Sequence, residues 1–454
     1  MKNIKSLAVF GIESDNLDFH GELIFENDGN CCINYIGNNL IEKSTNEELI
    51  VYGKLIDKTK FTAICIPQNK KSSPGKIISN NLLIKRLFLG EFIQELEKLK
   101  ISNIYIRTSY LESWFYDFPF DNNTFTINKN KFLIDEKIKY SDKYTLSFEH
   151  EFDTNFENNR KFILNSSYYL KIETENKLLL SDFEKESKKI LNLFKFLMPS
   201  KDIFIEDRFF FIGNTKVKIL EKQFFYKNEL SNDISRYDYI LQYDEISSNN
   251  LIVNWFSMYD KYEILMEYLF TIFNNKINNA IEMEFLLYMQ WIEGFCREKF
   301  FIQEAEKEKF NQLVQKLKKS FEDNKDSDEY KWIEEQTKYG LKQNFLKQIK
   351  LLIQELKNNK YIDITKKNKD NISDKIKKYR DELTHPEPNR KNYEDMELVK
   401  INHFIKGIIA FSIFHELKIP KESVNTSWII QIFRNYNDSI NYLFTKKENQ
   451  NEPY

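Results

Sequence analysis

The sequence predicts an α+β protein of two parts: an N-terminal antiparallel β-rich domain with a sandwich-like strand pattern, followed by an all-α helical bundle. Up to about Tyr243, apolar and polar residues alternate in short runs that are rich in β-branched and aromatic side chains, a pattern typical of strands. From about Leu251, apolar residues recur every three and four positions with Glu and Lys between them, which is typical of helices. Short connections between these helices favour an antiparallel bundle.

The β-rich part contains several clear strand candidates. Alternation predicts strands over 21–25, 50–56 and 144–148, then over 216–226 and 237–243. Turn signals such as Asn27-Asp28-Gly29-Asn30 separate the runs. One helix interrupts them, and Ser181 followed by Glu184 predicts a capping box at its start.

The helical part is predicted to contain seven helices, over 252–274, 276–300, 303–321, 328–357, 371–384, 393–417 and 421–445. We therefore divide the chain into a β-rich domain over 1–246, a helical domain over 247–446 and a polar tail over 447–454. No flexible Ser/Gly linker separates the two domains.

Composition restricts the class of protein. With 454 residues, 41% apolar content and 15% aromatic content, the chain can form real hydrophobic cores. No signal-like segment and no uncharged apolar run long enough to span a bilayer is visible, so we expect a cytoplasmic protein without membrane contact. Neither a CxxC pair nor a P-loop nor a dinucleotide-binding glycine pattern occurs, and we expect no metal and no cofactor. The cysteines are predicted to be structural thiols.

The most informative motif lies at residues 377–386 and contains Arg380 and His385 at the end of a basic helix. A guanidinium can clamp a phosphate and an imidazole can transfer a proton near neutral pH, a combination that suits metal-free phosphodiester cleavage. On an ideal helix the two residues lie about 140° apart around the axis. Pro386 is expected to end the helix at or before His385, which frees the imidazole to turn toward Arg380. Asp381 could orient either residue.

A basic segment precedes the motif. Residues 357–378 contain eight lysines against Asp363, Asp370 and Asp374, in a chain whose net charge is only −2. Such a segment attracts a polyanion. We therefore predict that Lys375, Lys377 and Lys378 bind RNA.

The same residues also fit a purely structural interpretation. His385 could cover the last carbonyls of the helix, with Arg380 in an ordinary surface ion pair. Elsewhere, Glu293 and Arg297 are spaced as a helix-face pair, and the basic run at 316–319 is typical of a solvated face. His20, His150, His403 and His415 have no matching partners in the sequence and are expected to serve in packing.

The Arg-x4-His motif, with a polar Asp directly after the arginine and near the end of an all-helical domain, resembles the HEPN superfamily. Residues 281–291 are similar to an early long helix of that domain. The preceding half resembles the N-terminal domain of ApeA-type anti-phage proteins, on Gly21-Glu22-Leu23 and on Ser113-Trp114-Phe115.

The resemblance implies a metal-independent endoribonuclease of bacterial abortive infection that leaves a 2′,3′-cyclic phosphate. His385 would then act as base on the 2′-hydroxyl or as acid on the leaving 5′-oxygen, and Arg380 would stabilise the phosphorane. One histidine cannot do both, so a homodimer through the helical domain is expected. The RNA substrate, tRNA or mRNA, and the phage-derived trigger stay open.

Two other functions are compatible with the sequence. The first is a non-catalytic helical module that dimerises and binds RNA or a protein partner. The second is a nucleotide-binding regulator that uses the lysine segment. The first predicts that Arg380→Ala and His385→Ala either destabilise the protein or have no effect. The second predicts saturable binding of a mononucleotide.

Overall fold

The computed structural model describes residues 3–26, 30–36, 48–68, 79–115, 120–121, 126–127, 137–157, 161–198, 203–221, 241, 250–274, 281–300, 304–320, 327–328, 330–331, 345–384, 395–420, 438–439 and 442–443. The chain forms two compact units, residues 1–244 and 245–454. The described part of the first unit is mostly β-strand and that of the second is helical, so the predicted fold class is confirmed. Each unit is described by itself below.

The N-terminal unit is built from antiparallel strands. The described strands are β1 (Ile4–Gly11), β2 (Phe19–Phe25), β3 (Cys31–Ile36), β4 (Leu49–Leu55), β5 (Lys60–Gln68), β6 (Ser79–Gly90), β7 (Lys100–Thr108), β8 (Phe120–Asp121), β9 (Thr126–Ile127), β10 (Ile138–Lys139), β11 (Thr145–Glu157), β12 (Lys161–Leu179), β13 (Ile205–Ile212) and β14 (Thr215–Glu221). Twelve of them form one sheet, and β8 pairs with β9.

The sheet closes on itself through β6. One edge of β6 pairs with β5, while the other pairs first with β3 and then, over Arg86 to Leu89, with β14. Strands β6, β3, β2, β1, β4 and β5 therefore form a closed six-stranded barrel, and β14, β13, β7, β12, β11 and β10 continue the sheet beyond it. The sandwich-like arrangement expected from the sequence is replaced by a barrel with an extension, because alternation along one strand does not reveal which strands meet to close a sheet.

The barrel is filled by the inward-facing residues of its strands. Phe10, Leu23, Ile33, Val51 and Phe61 belong to this core and are fully buried. Gly21 on β2 is needed for close packing, because a Cβ there would lie 2.3 Å from the backbone oxygen of Asn34.

Two helices accompany the sheet, α1 (Leu111–Phe115) and α2 (Leu180–Leu197). The predicted capping box is wrong: α2 begins after Leu179 and has no side-chain cap. Glu184 instead accepts a hydrogen bond from Arg86 Nη1 on β6 at 2.8 Å, so its side chain serves a tertiary contact. Trp114 on α1 is buried and packs edge-on against Phe194 of α2 at 4.9 Å.

The described helices of the second unit are α3 (Leu251–Lys261), α4 (Glu263–Asn274), α5 (Ile281–Lys299), α6 (Glu304–Ser320), α7 (Phe345–Asn358), α8 (Lys366–Thr384) and α9 (Asp395–Glu416). The predicted helix over 252–274 is interrupted at Tyr262. α8 begins before the predicted residue 371, because the Thr365 hydroxyl caps it by accepting from the Asn368 amide at 3.2 Å. The predicted helix over 421–445 falls mostly outside the described residues, and the polar tail entirely.

Helices α5, α7, α8 and α9 pack against one another as the core of this unit. α9 is the one described helix that is long and apolar enough to cross a membrane by composition. Within its apolar window, 72% of the residues are buried in the protein, as in the core helix of a bundle. α8 buries Ile372, Ile376 and Tyr379, which recur at the spacing of one helix face.

Candidate active site around Arg380

Arg380 lies at the edge of the packed face of α8. It follows Tyr379 directly and lies one turn after Ile376, both of which are buried. The guanidinium therefore reaches the neighbouring helices while 30% of the side chain stays exposed to solvent. The side chain is therefore held by the protein and is still partly accessible from solvent.

Three side chains hold the guanidinium. Its Nη2 donates to Oε1 of Glu293 on α5, and its Nη1 donates to Oδ1 of Asp381 at 3.2 Å. The guanidinium carbon lies 5.2 Å from the centre of the Phe345 ring at the start of α7. Arginine has five N–H donors, so two carboxylate contacts orient the group and leave further donors for a phosphate.

Asp381 links Arg380 to Lys377. Its Oδ2 accepts from Lys377 Nζ at 2.9 Å, one helical turn back. Partial burial alone would raise the pKa of Asp381, but the hydrogen bonds from Lys377 and Arg380 outweigh burial and lower it. Asp381 is therefore a carboxylate at neutral pH that pairs with two cations.

His385 lies outside the described residues, and α8 is described as far as Thr384. The Thr384 hydroxyl donates to the Arg380 carbonyl at 2.8 Å, within the last turn. The proximity of His385 to Arg380, and its orientation by Asp381, stay predictions.

The three lysines predicted to bind RNA lie on two sides of α8. Lys375 pairs with Glu397 on α9, and Glu397 also accepts from the Tyr379 hydroxyl. Lys377 and Lys378 instead line an open groove of about 450 Å³ together with Leu346, Asp374, Asp381 and Glu382. The structure thus groups two of the lysines beside Asp381 and separates Lys375 from them.

Glu293 and Phe345 were missed by the sequence interpretation. Glu293 was expected to pair with Arg297, and that contact exists at 3.6 Å, but Arg297 is 65% exposed and the closer partner of Glu293 is Arg380. Glu293 and Arg380 are 87 positions apart in the sequence, so no local spacing could reveal their contact.

Of the other predicted groups, all four cysteines are free and buried. Among the described residues, no group of His, Cys, Asp and Glu could hold a metal ion. His415 lies 2.9 Å from Oε1 of Glu355, so it has an acidic partner that its sequence neighbours did not reveal.

The fold and this site define a class of protein: a β-rich domain followed by a helical bundle that carries a partly exposed arginine near a helix end. Comparison with known families agrees. A family model described as ApeA N-terminal domain 1 matches residues 7–255, more than half of the chain, and one described as Apea-like HEPN matches residues 286–423. The chain belongs to the ApeA family, with an Apea-like HEPN domain at its C-terminal end.

The HEPN match contains Glu293, Phe345 and the whole of residues 377–386. HEPN domains are typically ribonucleases. No curated protein and no solved structure was found to match the chain.

Proposed function

We propose that the chain is a HEPN-type endoribonuclease that acts in the cytoplasm in bacterial anti-phage defence. One observation carries the proposal: within the HEPN match, Arg380 is held by Glu293 and Phe345 while 30% of its side chain stays exposed, five positions before His385. An arginine oriented in this way suits a phosphate whose negative charge increases during reaction.

The reaction is an internal transfer at one phosphodiester. The 2′-oxygen attacks the adjacent phosphorus, the bond from phosphorus to the 5′-oxygen breaks, and the products are a 2′,3′-cyclic phosphate and a 5′-hydroxyl. The 2′-hydroxyl loses one proton to a base and the 5′-oxygen receives one from an acid, so the protons balance. Arg380 stabilises the charge on the phosphorane.

His385 performs one of the two proton transfers in this proposal. The same histidine of a second copy performs the other, because each chain offers a single histidine in the motif. This assignment requires a homodimer through the helical unit. In this proposal the β-rich unit, which matches an ApeA N-terminal domain, responds to a phage-derived trigger.

The proposal is tested with purified wild-type protein and the Arg380→Ala, His385→Ala and Arg297→Ala variants, each incubated with total bacterial RNA. Arg297 is the matched control, since it also pairs with Glu293 but is mostly exposed. We expect the first two variants to lose cleavage by at least about 100-fold, at the scale of one lost charge-stabilising donor, while the control cleaves normally. Thermal unfolding verifies that each variant is folded. Wild-type-like cleavage by Arg380→Ala and His385→Ala would overturn the proposal.

A second function is favoured by two specific contacts. Both terminal nitrogens of Arg380 already donate to carboxylates, as in a structural ion pair. If the helical unit were a non-catalytic interaction module, Arg380→Ala would lower the melting temperature or cause the oligomer to dissociate. The wild-type protein would then leave all RNA intact.

A further inference from the structure

We propose that the groove between α7 and α8 binds a single strand of RNA beside the cleaved phosphate, with Lys347, Lys350 and Lys369 contacting its phosphates. This proposal rests on the proposed function and specifies that the bound segment of the substrate is single-stranded. These three lysines lie outside the Arg-His motif.

The groove consists of two neighbouring openings that lie along α7 and α8 and share one lining residue. Two adjoining openings share Leu346: the one of about 450 Å³ beside Asp381, and a second of about 340 Å³ lined by Leu346, Lys347, Lys350, Leu351, Gln354 and Lys369. α7 and α8 run antiparallel, since Phe345 contacts Arg380 at one end and Gln354 accepts from Lys369 at the other. We call the whole feature the α7–α8 groove.

The charges differ between its two halves. The half beside Arg380 is lined by two lysines and three carboxylates, whereas the distal half is lined by three lysines and no carboxylate among the described residues. Lys350 contacts Asp370 at 3.3 Å and Asp374 at 3.4 Å, but these acids are 41% and 60% exposed. Exposed pairs of this kind contribute little, so a phosphate can replace them. The distal half therefore carries the excess of positive charge in the groove, which favours contact with phosphates.

The length and floor of the groove favour a single strand. Lys369 and Arg380 are eleven positions apart on α8, or about 16 Å. At about 3.4 Å per stacked nucleotide this corresponds to at most about five nucleotides, and fewer when the strand is extended. Leu346 and Leu351 give the floor apolar surface that can pack against exposed bases or sugars, which a duplex hides.

The test measures binding of a 2′-O-methyl RNA single strand of about twelve nucleotides, which covers the groove and cannot be cleaved. The variant is Lys347→Ala/Lys369→Ala, and the matched control is Lys316→Ala/Lys318→Ala on α6. Each lost phosphate contact should reduce the magnitude of the slope of log K against log salt by about 0.7. The slope should therefore fall by about 1.4 for the groove variant and stay unchanged for the control. With cleavable RNA, we expect KM to rise several-fold and kcat to stay within about twofold.

Equal slopes for the groove variant and the control would overturn the inference. So would binding of a blunt duplex of the same length as tightly as the single strand. These failures are separate from failure of the proposed function, because the 2′-O-methyl strand measures binding alone and unmodified RNA measures cleavage by the wild-type protein.

Discussion

The Arg380 guanidinium on α8 donates to the Glu293 carboxylate on α5, across the interface of two core helices. Glu293 is only 18% exposed, so the contact is shielded from solvent and fixes the arginine more firmly than a surface pair would. Phe345 of α7 lies against the same guanidinium and limits its rotation. We infer that Glu293 is a positioning residue for Arg380.

Glu293→Gln should therefore lower kcat for RNA cleavage by about tenfold and change KM less, because an amide holds the guanidinium more weakly and the group is misplaced in the transition state. Steady-state cleavage of a defined RNA measures both constants. Arg297→Ala serves as the control. A higher kcat in Glu293→Gln would mean that the carboxylate restrains Arg380 instead of orienting it.

The lysines of α8 should differ in their effect on RNA binding. Lys378 lines the α7–α8 groove and is 73% exposed, whereas Lys375 pairs with Glu397 on α9. We expect Lys378→Ala to weaken binding of single-stranded RNA several-fold and Lys375→Ala to lower the melting temperature instead. Fluorescence anisotropy and thermal unfolding separate the two effects. Equal loss of RNA binding in both variants would support the prediction from the sequence that Lys375 binds RNA together with Lys378.

Lys299 is expected to be important for the stability of the helical unit. Its ammonium contacts Glu355 on α7 at 3.0 Å and also Glu416 on α9, with only 12% of its side chain exposed. Lys299→Met should cost about 2 to 4 kcal/mol of unfolding free energy, because two nearby carboxylates lose their shared cation. Denaturant unfolding measures this change. A loss below about 0.5 kcal/mol, the scale of an ordinary surface substitution, would contradict a stabilising role for the contacts of Lys299 with Glu355 and Glu416.

The stability of the N-terminal unit should fall with acid through His150. Burial lowers the pKa of His150 to about 4, and its ring stacks on Tyr168 at 4.2 Å. Because the folded pKa lies below the unfolded value of about 6.5, the unfolded state binds the extra proton first, and stability decreases as pH falls from about 6.5 to about 4. At about 1.4 kcal/mol for each pH unit between the two pKa values, the loss should approach about 3 kcal/mol near pH 4.

His150→Phe keeps an aromatic ring for Tyr168 but cannot titrate, so its unfolding free energy should vary less over the same pH range. Unfolding followed at several pH values compares the two proteins. Parallel curves for wild type and variant would assign the acid sensitivity to other groups.

The sequence predicted the features that depend on local periodicity. Alternation found β2 and β4, and the three-and-four spacing found α5 and α9. The position of Lys375 beside the packed face of α8 could also have been predicted from the sequence. Lys375 lies three residues after Ile372 and four before Tyr379, which are both buried. Helical spacing alone could thus have separated it from Lys377.

Other features had no local signal. Barrel closure depends on β6 pairing with β5 on one edge and with β3 and β14 on the other. The contact between Glu293 and Arg380 joins residues 87 positions apart. Such contacts are decided by tertiary packing, which periodicity does not encode.

The most direct measurement is the chemistry of the RNA ends that the protein produces. Wild-type and His385→Ala protein would be incubated with total bacterial RNA in EDTA, and the new ends mapped. We predict 5′-hydroxyl and 2′,3′-cyclic phosphate ends in the wild-type sample and none in the sample of folded His385→Ala. New 5′-phosphate ends, or the same cuts in both samples, would contradict cleavage by Arg380 and His385.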